Sequence, residues 1–416
     1  MMKTSIKIVR QLRGAHTMKL ALQNVGQLNK AEVEFGDLTV LVGPQASGKS
    51  IFLQFLKLMI DGPRVIADLK KYGYDWRGEL ALFLNLYLGE GMQSVWTTEG
   101  DKTSVVVWDD DCVNLADKLK NWGKARQQQR KERMFFIPAQ RVLSLNMGWP
   151  RPFTDFAAGD PYVVPCFSEK LRMQMEAGLG GGKTASVFPQ AGRLKSELRK
   201  TLDSAVFHGF LLKLDHMGGV QKRLVLQGVG EKLPFMVWSA GQREFIPLLL
   251  ALYWLCPAAK IARRYDTEWV VIEEPEMGLH PEAISAVMLV VLELLLRGYR
   301  VVLSTHSPHV LDVLWGLRTI QHYGAVPDKV IDMFGLHRHS SEMRKIAKAA
   351  IGKEYRVFYF DRSSGSSGHV VRDISELDPG ADNPFEANWG GLTEFSGRVG
   401  KVVADIVSSS DAEGGQ

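Results

Sequence analysis

The run Gly43-Pro44-Gln45-Ala46-Ser47-Gly48-Lys49-Ser50 has the spacing GxxxxGK[ST], in which main-chain N–H groups and one lysine can surround a chain of phosphates. Each residue type serves that chemistry. Glycines let the backbone turn tightly and approach an anion, and the positive end of a following helix completes a nest for the α- and β-phosphates. Lys49 is placed for the β- and γ-phosphates of ATP, and the Ser50 hydroxyl for a Mg²⁺ ion. The flanks agree, because an apolar strand ends at Val42 and apolar residues at helical spacing begin at Ile51.

A second constellation lies far downstream. Trp269 to Ile272 is an apolar strand that ends in Glu273 and Glu274. Carboxylates at the carboxyl end of a parallel strand face the crevice where ligands bind in open α/β sheets. Glu273 is then a candidate for the Mg²⁺ shell through water, and Glu274 for orienting or deprotonating the attacking water. Standing alone, the two acids could equally open a surface loop. Two further segments accompany them: Ser239-Ala240-Gly241-Gln242 ahead of an amphipathic helix, and Ser304-Thr305-His306-Ser307 after the strand Arg300 to Ser304. Gly182-Lys183-Thr184 imitates the end of the phosphate loop, but Ala177 stands where the first glycine belongs, and a flexible glycine linker is the better reading.

At these residues the chain resembles the ABC-type ATPases, whose signature begins with serine, a small residue, glycine and glutamine. The order of phosphate loop, signature, acidic pair and switch histidine matches that family. The string Glu273-Glu274-Pro275-Glu276-Met277-Gly278-Leu279-His280-Pro281 looks like the branch holding the OLD nucleases and related stand-alone AAA-type ATPases, many of them in anti-phage defence. The resemblance implies a head-to-tail homodimer with nucleotide between two copies. Ser239, Gly241 and Gln242 of one copy would then serve the γ-phosphate held by Lys49 of the other, and Glu276 to Pro281 would form a loop across the dimer. His306 would sense the γ-phosphate. Gln140 would correspond to the glutamine that touches nucleotide and Mg²⁺, with Arg141 beside it, although a plain turn at Pro138 accounts for Gln140 equally well. Two departures stand out: Glu273 where transporter ATPases usually have aspartate, and Ala240 where glycine is common.

The elements that must carry these residues alternate. Strands are expected at Leu20 to Val25, Ala31 to Phe35 and Leu38 to Val42, then a helix from Ile51 that Gly62-Pro63 should stop. Ser94 to Asp109 reads as a hairpin turning at Glu99-Gly100-Asp101, and Lys118 to Arg133 as one basic helix. Residues 143–200 are rich in Gly and Pro, with a helix near Ser168 to Glu176, and read as an insertion, as do residues 62–133. Beyond them come a helix at Gln242 to Leu255, a strand at Trp269 to Ile272, a helix at Glu282 to Leu296 and a strand at Arg300 to Ser304. The expected fold is α/β, a phosphate-loop NTPase of the ABC-ATPase kind, with a mixed sheet flanked by helices and a strand-rich N-terminal lobe. Residues 18–320 would form the ATPase domain, 321–416 a C-terminal α/β extension, and 1–17 an extension ahead of Met18.

Composition narrows the class. Of 416 residues, 45% are hydrophobic and 23% charged, as in ordinary globular chains. The net charge of +5 permits nucleic acid as a partner without requiring it. Cys112, Cys166 and Cys256 have no metal or redox spacing, and reduced thiols in a cytoplasm are expected. The apolar stretch Ala286 to Leu296 is too short for a bilayer and reads as a core helix. Taken with these features, the resemblance implies a stand-alone ATPase switch that controls a partner effector, with a RecF- or SMC-like DNA repair ATPase as the alternative and a transporter subunit or a scaffold that locks on ATP without turnover behind it. Asp361, Asp373, Asp378 and Asp382 read as loop residues and lack the pattern of a TOPRIM nuclease. The basic run Lys118, Lys120, Lys124, Arg126, Arg130, Lys131 and Arg133 is either a solvated face or a weak contact to phosphates.

Overall fold

All five residues of the strand Leu38–Val42 are buried, so both faces of the sheet that it enters are covered. The computed structural model describes residues 18–98, 103–177, 186–190, 192–217, 221–257, 263–264, 266–324, 326–362 and 368–413. Ten strands form its main sheet: β1 (Lys19–Val25), β2 (Leu28–Glu34), β3 (Leu38–Val42), β4 (Val105–Trp108), β5 (Asp111–Val113), β6 (Met134–Ile137), β7 (Trp269–Glu273), β8 (Arg300–Thr305), β9 (Tyr355–Arg362) and β10 (His369–Asp373). Their order across the sheet is β5-β4-β1-β2-β10-β9-β3-β8-β7-β6. Neighbours from β9 through β3, β8 and β7 to β6 run parallel, whereas β1, β2, β4 and β5 pair antiparallel. The sheet is therefore mixed, and helices lie on both of its faces.

Alternation along the strands separates two cores. Val40, Ile137, Val270, Ile272 and Leu303 enter one, and Leu41, Phe136, Val271 and Val302 enter the other. Six helices matter for the site: α1 (Lys49–Lys71), α2 (Leu115–Gly123), α3 (Val163–Glu176), α4 (Ala240–Leu255), α5 (Pro281–Leu296) and α6 (Pro308–Tyr323). The second core takes Phe52, Leu56 and Ile66 from α1, while the first takes Leu248, Val290 and Leu314 from α4, α5 and α6. Apolar residues surround α5 on nearly every side, as a core helix requires, and its one inward acid, Glu293, is paired with Lys195 and Arg297, each at 2.8 Å. No helix among the described residues is long and apolar enough to cross a membrane.

Three local expectations differ from the structure. The helix after the phosphate loop does not end at Gly62-Pro63; it kinks at Asp61 (φ −122°, ψ 19°) and continues to Lys71. Val65, Ile66 and Leu69 are buried beyond the kink, which rewards continuation, and Gly62 lets Trp122 press against the backbone where a Cβ would come within 2.6 Å. The basic run is not one helix, because α2 stops at Gly123 and a separate 3₁₀ turn follows at Gln127–Arg130. The hairpin observed joins β4 to β5 through Asp109-Asp110, both at positive φ as a tight two-residue turn demands, while residues 99–102 fall outside the described set. Residues 1–17 and the glycine run 178–184 lie outside it as well.

Residues 321–416 supply β9 and β10 to the middle of the main sheet, with β9 directly beside β3. Asp361 and Asp373, expected in loops, are strand residues: Asp361 pairs with Arg372 at 2.9 Å, and Asp373 accepts from the Ser375 N–H at 2.8 Å.

The kink at Asp61 ties α1 to β6. Lys57 Nζ donates to Asp61 Oδ2 at 2.7 Å, to Glu132 Oε1 at 2.7 Å and to the Met134 carbonyl at 2.6 Å. The Asp61 carboxylate also accepts from the N–H groups of Arg133 and Met134, at 2.8 and 3.0 Å. Asp61→Ala leaves the N–H groups of Arg133 and Met134 without this acceptor and the buried Lys57 with one carboxylate instead of two, so it is expected to cost about 3–5 kcal/mol in urea unfolding. A loss below about 1 kcal/mol would mean that this network does not hold the kink.

Candidate functional site

The phosphate loop leaves β3 at Gly43 and enters α1 at Lys49. Gly43 has φ 147°, and a Cβ there would stand 2.7 Å from the Phe360 carbonyl of β9. Gly48 caps α1 at φ 93° with no side-chain cap, so the first-turn N–H groups keep no side-chain acceptor at that cap. Pro44, Gln45 and Ala46 form the exposed crown; Ala46 sits at φ 56°, and its carbonyl accepts from Gln27 Nε2 at 3.0 Å. Lys49 Nζ donates to the carbonyls of Gly43 and Pro44, each at 2.8 Å, and to Ser47 Oγ at 3.2 Å. Burial pushes the Lys49 ammonium down to about 8, against the pull of Glu274, Glu276 and Glu273. An anion brought to this loop would relieve that penalty.

Side by side, β3, β8 and β7 deliver the loop, the histidine segment and the acids to one edge of the sheet. Glu273 is buried, and burial raises its carboxyl above the ordinary range, with the Ser50 hydroxyl and the Ala139 N–H pulling the other way. Its Oε2 accepts from that N–H at 3.2 Å, while its buried Oε1 has no hydrogen-bond partner. Glu274 follows at φ 44° with its N–H on the Ser304 carbonyl at 2.8 Å. Its Oε1 lies 3.5 Å from His306 Nε2, and this contact holds the Glu274 carboxyl below the usual range although burial opposes it.

Mg²⁺ takes few protein ligands when phosphates supply the remainder, and it prefers oxygen. The unpartnered buried Glu273 Oε1 and the Ser50 hydroxyl beside this carboxyl are of that kind, so the donor set fits the ion. Among the described residues no cluster of three or more His, Cys, Asp or Glu could hold a metal.

A small antiparallel sheet, with strands Ser186–Phe188, Leu211–Met217, Gln221–Gln227 and Lys232–Pro234, leads into the serine segment. Trp238 anchors the approach, donating from Nε1 to the Leu233 carbonyl at 2.9 Å. Ser239 and Gln242 then form a capping box on α4: Ser239 Oγ accepts from the Gln242 N–H at 3.2 Å, and Gln242 Oε1 from the Ser239 N–H at 3.0 Å. The Ser-x-x-Gln spacing before an apolar run is itself the sequence signal for that box. Gly241 allows close approach, since a Cβ there would meet the Gly278 carbonyl at 2.6 Å. Among the described residues no hydrogen bond or ion pair joins residues 239–242 to residues 43–50 of the same chain.

Two groups carry more of the architecture than their sequence setting suggests. Glu276 Oε1 accepts from the Thr305 hydroxyl and from the His306 N–H, each at 2.7 Å, and so fixes the turn that presents His306. Arg141 is wholly buried, whereas Gln140 is exposed and its neighbour Ala139 makes the contact to Glu273. In the basic run, Lys131 and Arg133 pair with Asp266 and Glu268 at 2.9 and 2.6 Å, which neutralises part of that face.

Residues 176–312 match the family described as "AAA domain, putative AbiEii toxin, Type IV TA system". That stretch includes Ser239, Gly241, Glu273, Glu274 and His306 and leaves out the phosphate loop. No curated protein matches the chain. Among solved structures it is similar to the SMC head domain from Thermotoga maritima, at 10% identity over 85% of this chain and 97% of that one, with a TM-score of 0.35. SmcHead bound to the C-winged helix domain of ScpA gives 10% identity, coverage of 85% and 96%, and a TM-score of 0.39. The dimeric bacterial ABC transporter cassette MJ0796 gives 13%, 70% and 90%, and 0.32. The established likeness is that of residues 176–312 to an AAA-type domain.

Proposed function

We propose that the chain is a Mg²⁺-dependent ATPase that works as a head-to-tail homodimeric switch and controls a partner effector. The observation that carries this reading is the convergence of Lys49, Glu273, Glu274 and His306 at the ends of three adjacent strands, with Glu274 3.5 Å from His306. In this reading the loop N–H groups and Lys49 bind the phosphates, Ser50 and Glu273 hold Mg²⁺, and Gln140 reaches the nucleotide from the end of β6. The ion, when bound, neutralises charge that develops between the β- and γ-phosphates. Glu274, kept ionised by His306, accepts a proton from the attacking water, and His306 also reads the γ-phosphate.

Dimerisation supplies the missing donor. The capped N-terminus of α4 is exposed at Ser239, so its main-chain dipole is available to the γ-phosphate of a second copy. The family matched over residues 176–312 is described in terms of a toxin–antitoxin system, which supports a partner protein as the effector. A RecF- or SMC-like role on DNA is the second reading, favoured by the exposed Lys118, Lys124 and Arg126 on and after α2.

Lys49→Ala tests the first step. Its ammonium is the one lysine donor in the loop, and charge-assisted bonds to phosphate contribute about 1.5–3 kcal/mol each, so ATP affinity should fall about 10²-fold or more. Titration with a fluorescent nucleotide reads it, and unchanged affinity would remove the loop from the nucleotide site.

A further inference from the structure

An arginine just after a short strand gives no reason to expect burial, yet Arg141 has 0% exposure. Taking a guanidinium out of water is costly unless its donors are used. Nη1 donates to the Glu273 carbonyl at 2.9 Å, Nη2 to the Glu274 carbonyl at 2.9 Å, and Nε to the Glu244 carbonyl at 3.1 Å. The Glu244 carboxylate stands 3.7 Å from Nε and supplies a nearby countercharge. One planar group thus clamps main-chain carbonyls from two elements, the acidic end of β7 and the first turns of α4.

The positions are telling. Glu244 lies in the α4 turn that follows Ser239, and Glu274 is held in the left-handed region at φ 44°, where a residue with a side chain is strained and needs outside support. That support comes from three bonds: the Glu274 N–H to the Ser304 carbonyl, and the Met277 N–H and Arg141 Nη2 to the Glu274 carbonyl, of which Arg141 is the one that also reaches α4. A guanidinium is rigid and flat, so a shift of α4 that moves the Glu244 carbonyl turns the whole fork and with it the peptide of Glu274.

We infer that Arg141 is a positioning residue that couples engagement of the Ser239–Gln242 segment to the orientation of the Glu274 carboxylate. When the end of α4 meets a γ-phosphate, Arg141 carries the small movement to the acidic pair, and water is oriented only in the closed dimer. Hydrolysis in a lone subunit stays low for that reason. This inference rests on the ATPase reading above.

A double-mutant cycle with steady-state ATP hydrolysis tests it, using the full chain. Arg141→Lys keeps the charge, but one ammonium cannot span three carbonyls in the plane of the fork. It should lower kcat about tenfold or more while the Kd for a fluorescent ATP analogue stays within about twofold. Ser239→Ala should cost about tenfold in the parent chain and less than about twofold in the Arg141→Lys background, because the route between the two sites is already cut. A purely structural arginine would lower the folded fraction and leave the two effects multiplicative. Multiplicative effects, or full kcat in Arg141→Lys, overturn the inference and leave the ATPase reading intact. A parent chain that binds ATP but does not hydrolyse it overturns both. If Arg141→Lys does not fold, Arg141→Gln enters the same cycle with the same criteria.

Discussion

Glu274→Gln is expected to lower ATP hydrolysis about 10²–10⁴-fold while ATP stays bound and the protein collects as a dimer with ATP and Mg²⁺. The amide matches the carboxylate in shape, so the strained main chain at φ 44° and its bonds to Ser304 and Arg141 should persist. What disappears is the ionised acceptor that His306 keeps below the usual carboxyl range. Lys49, Ser47 and the first turn of α1 remain as they were, so nucleotide affinity should hold. Light scattering with ATP and Mg²⁺ reads the dimer, and a phosphate-release assay reads the rate. Hydrolysis at the parental rate would take Glu274 out of the reaction.

The residues with local signatures were legible. The phosphate loop, the acidic strand end and the histidine segment announce themselves through alternation of apolar strands with helices, and β3, β7 and β8 lie where that pattern puts them. What stayed hidden depends on contacts between distant segments. Nothing near Gly43 foretells that Phe360, more than three hundred residues away, will press its carbonyl against the loop, or that β9 will complete the parallel part of the sheet. Gly62-Pro63 reads as a stop because local propensity disfavours helix there. Burial of Val65, Ile66 and Leu69 and the Lys57–Asp61 network outweigh that preference. Arg141 shows the same limit from another side, since its three acceptors come from two elements that the sequence places at least a hundred residues downstream.

Ser239 and Gln242 raise the sharper question, because a capping box explains their types without any nucleotide. A cap alone and a cap that also meets a partner's phosphate give different results when the cap is replaced. If the role is only local, Ser239→Arg should cost about 1 kcal/mol of stability and leave hydrolysis intact. If the end of α4 closes on a second copy, a bulky cation there obstructs closure, and hydrolysis should vanish while the Lys49 loop of the same chain still binds ATP.

Mixing Ser239→Arg with Lys49→Ala separates these cases most strongly, because each variant alone should be inactive. In a head-to-tail heterodimer one composite site collects both defects and the other collects neither. Activity should therefore return on mixing, up to about a quarter of the parental rate at equal concentrations, since half of the dimers are mixed and each has one intact site. The geometry makes the demand specific. Gly241 packs against the Gly278 carbonyl, so the end of α4 and the loop after the acidic pair lie side by side, within reach of one partner surface. Native mass spectrometry would verify that the mixed dimers form. Recovery of hydrolysis requires the Ser239 segment to act on the other chain's nucleotide. Steady ATP hydrolysis by Ser239→Arg as a strict monomer would end the trans-acting reading and leave the segment as a helix cap.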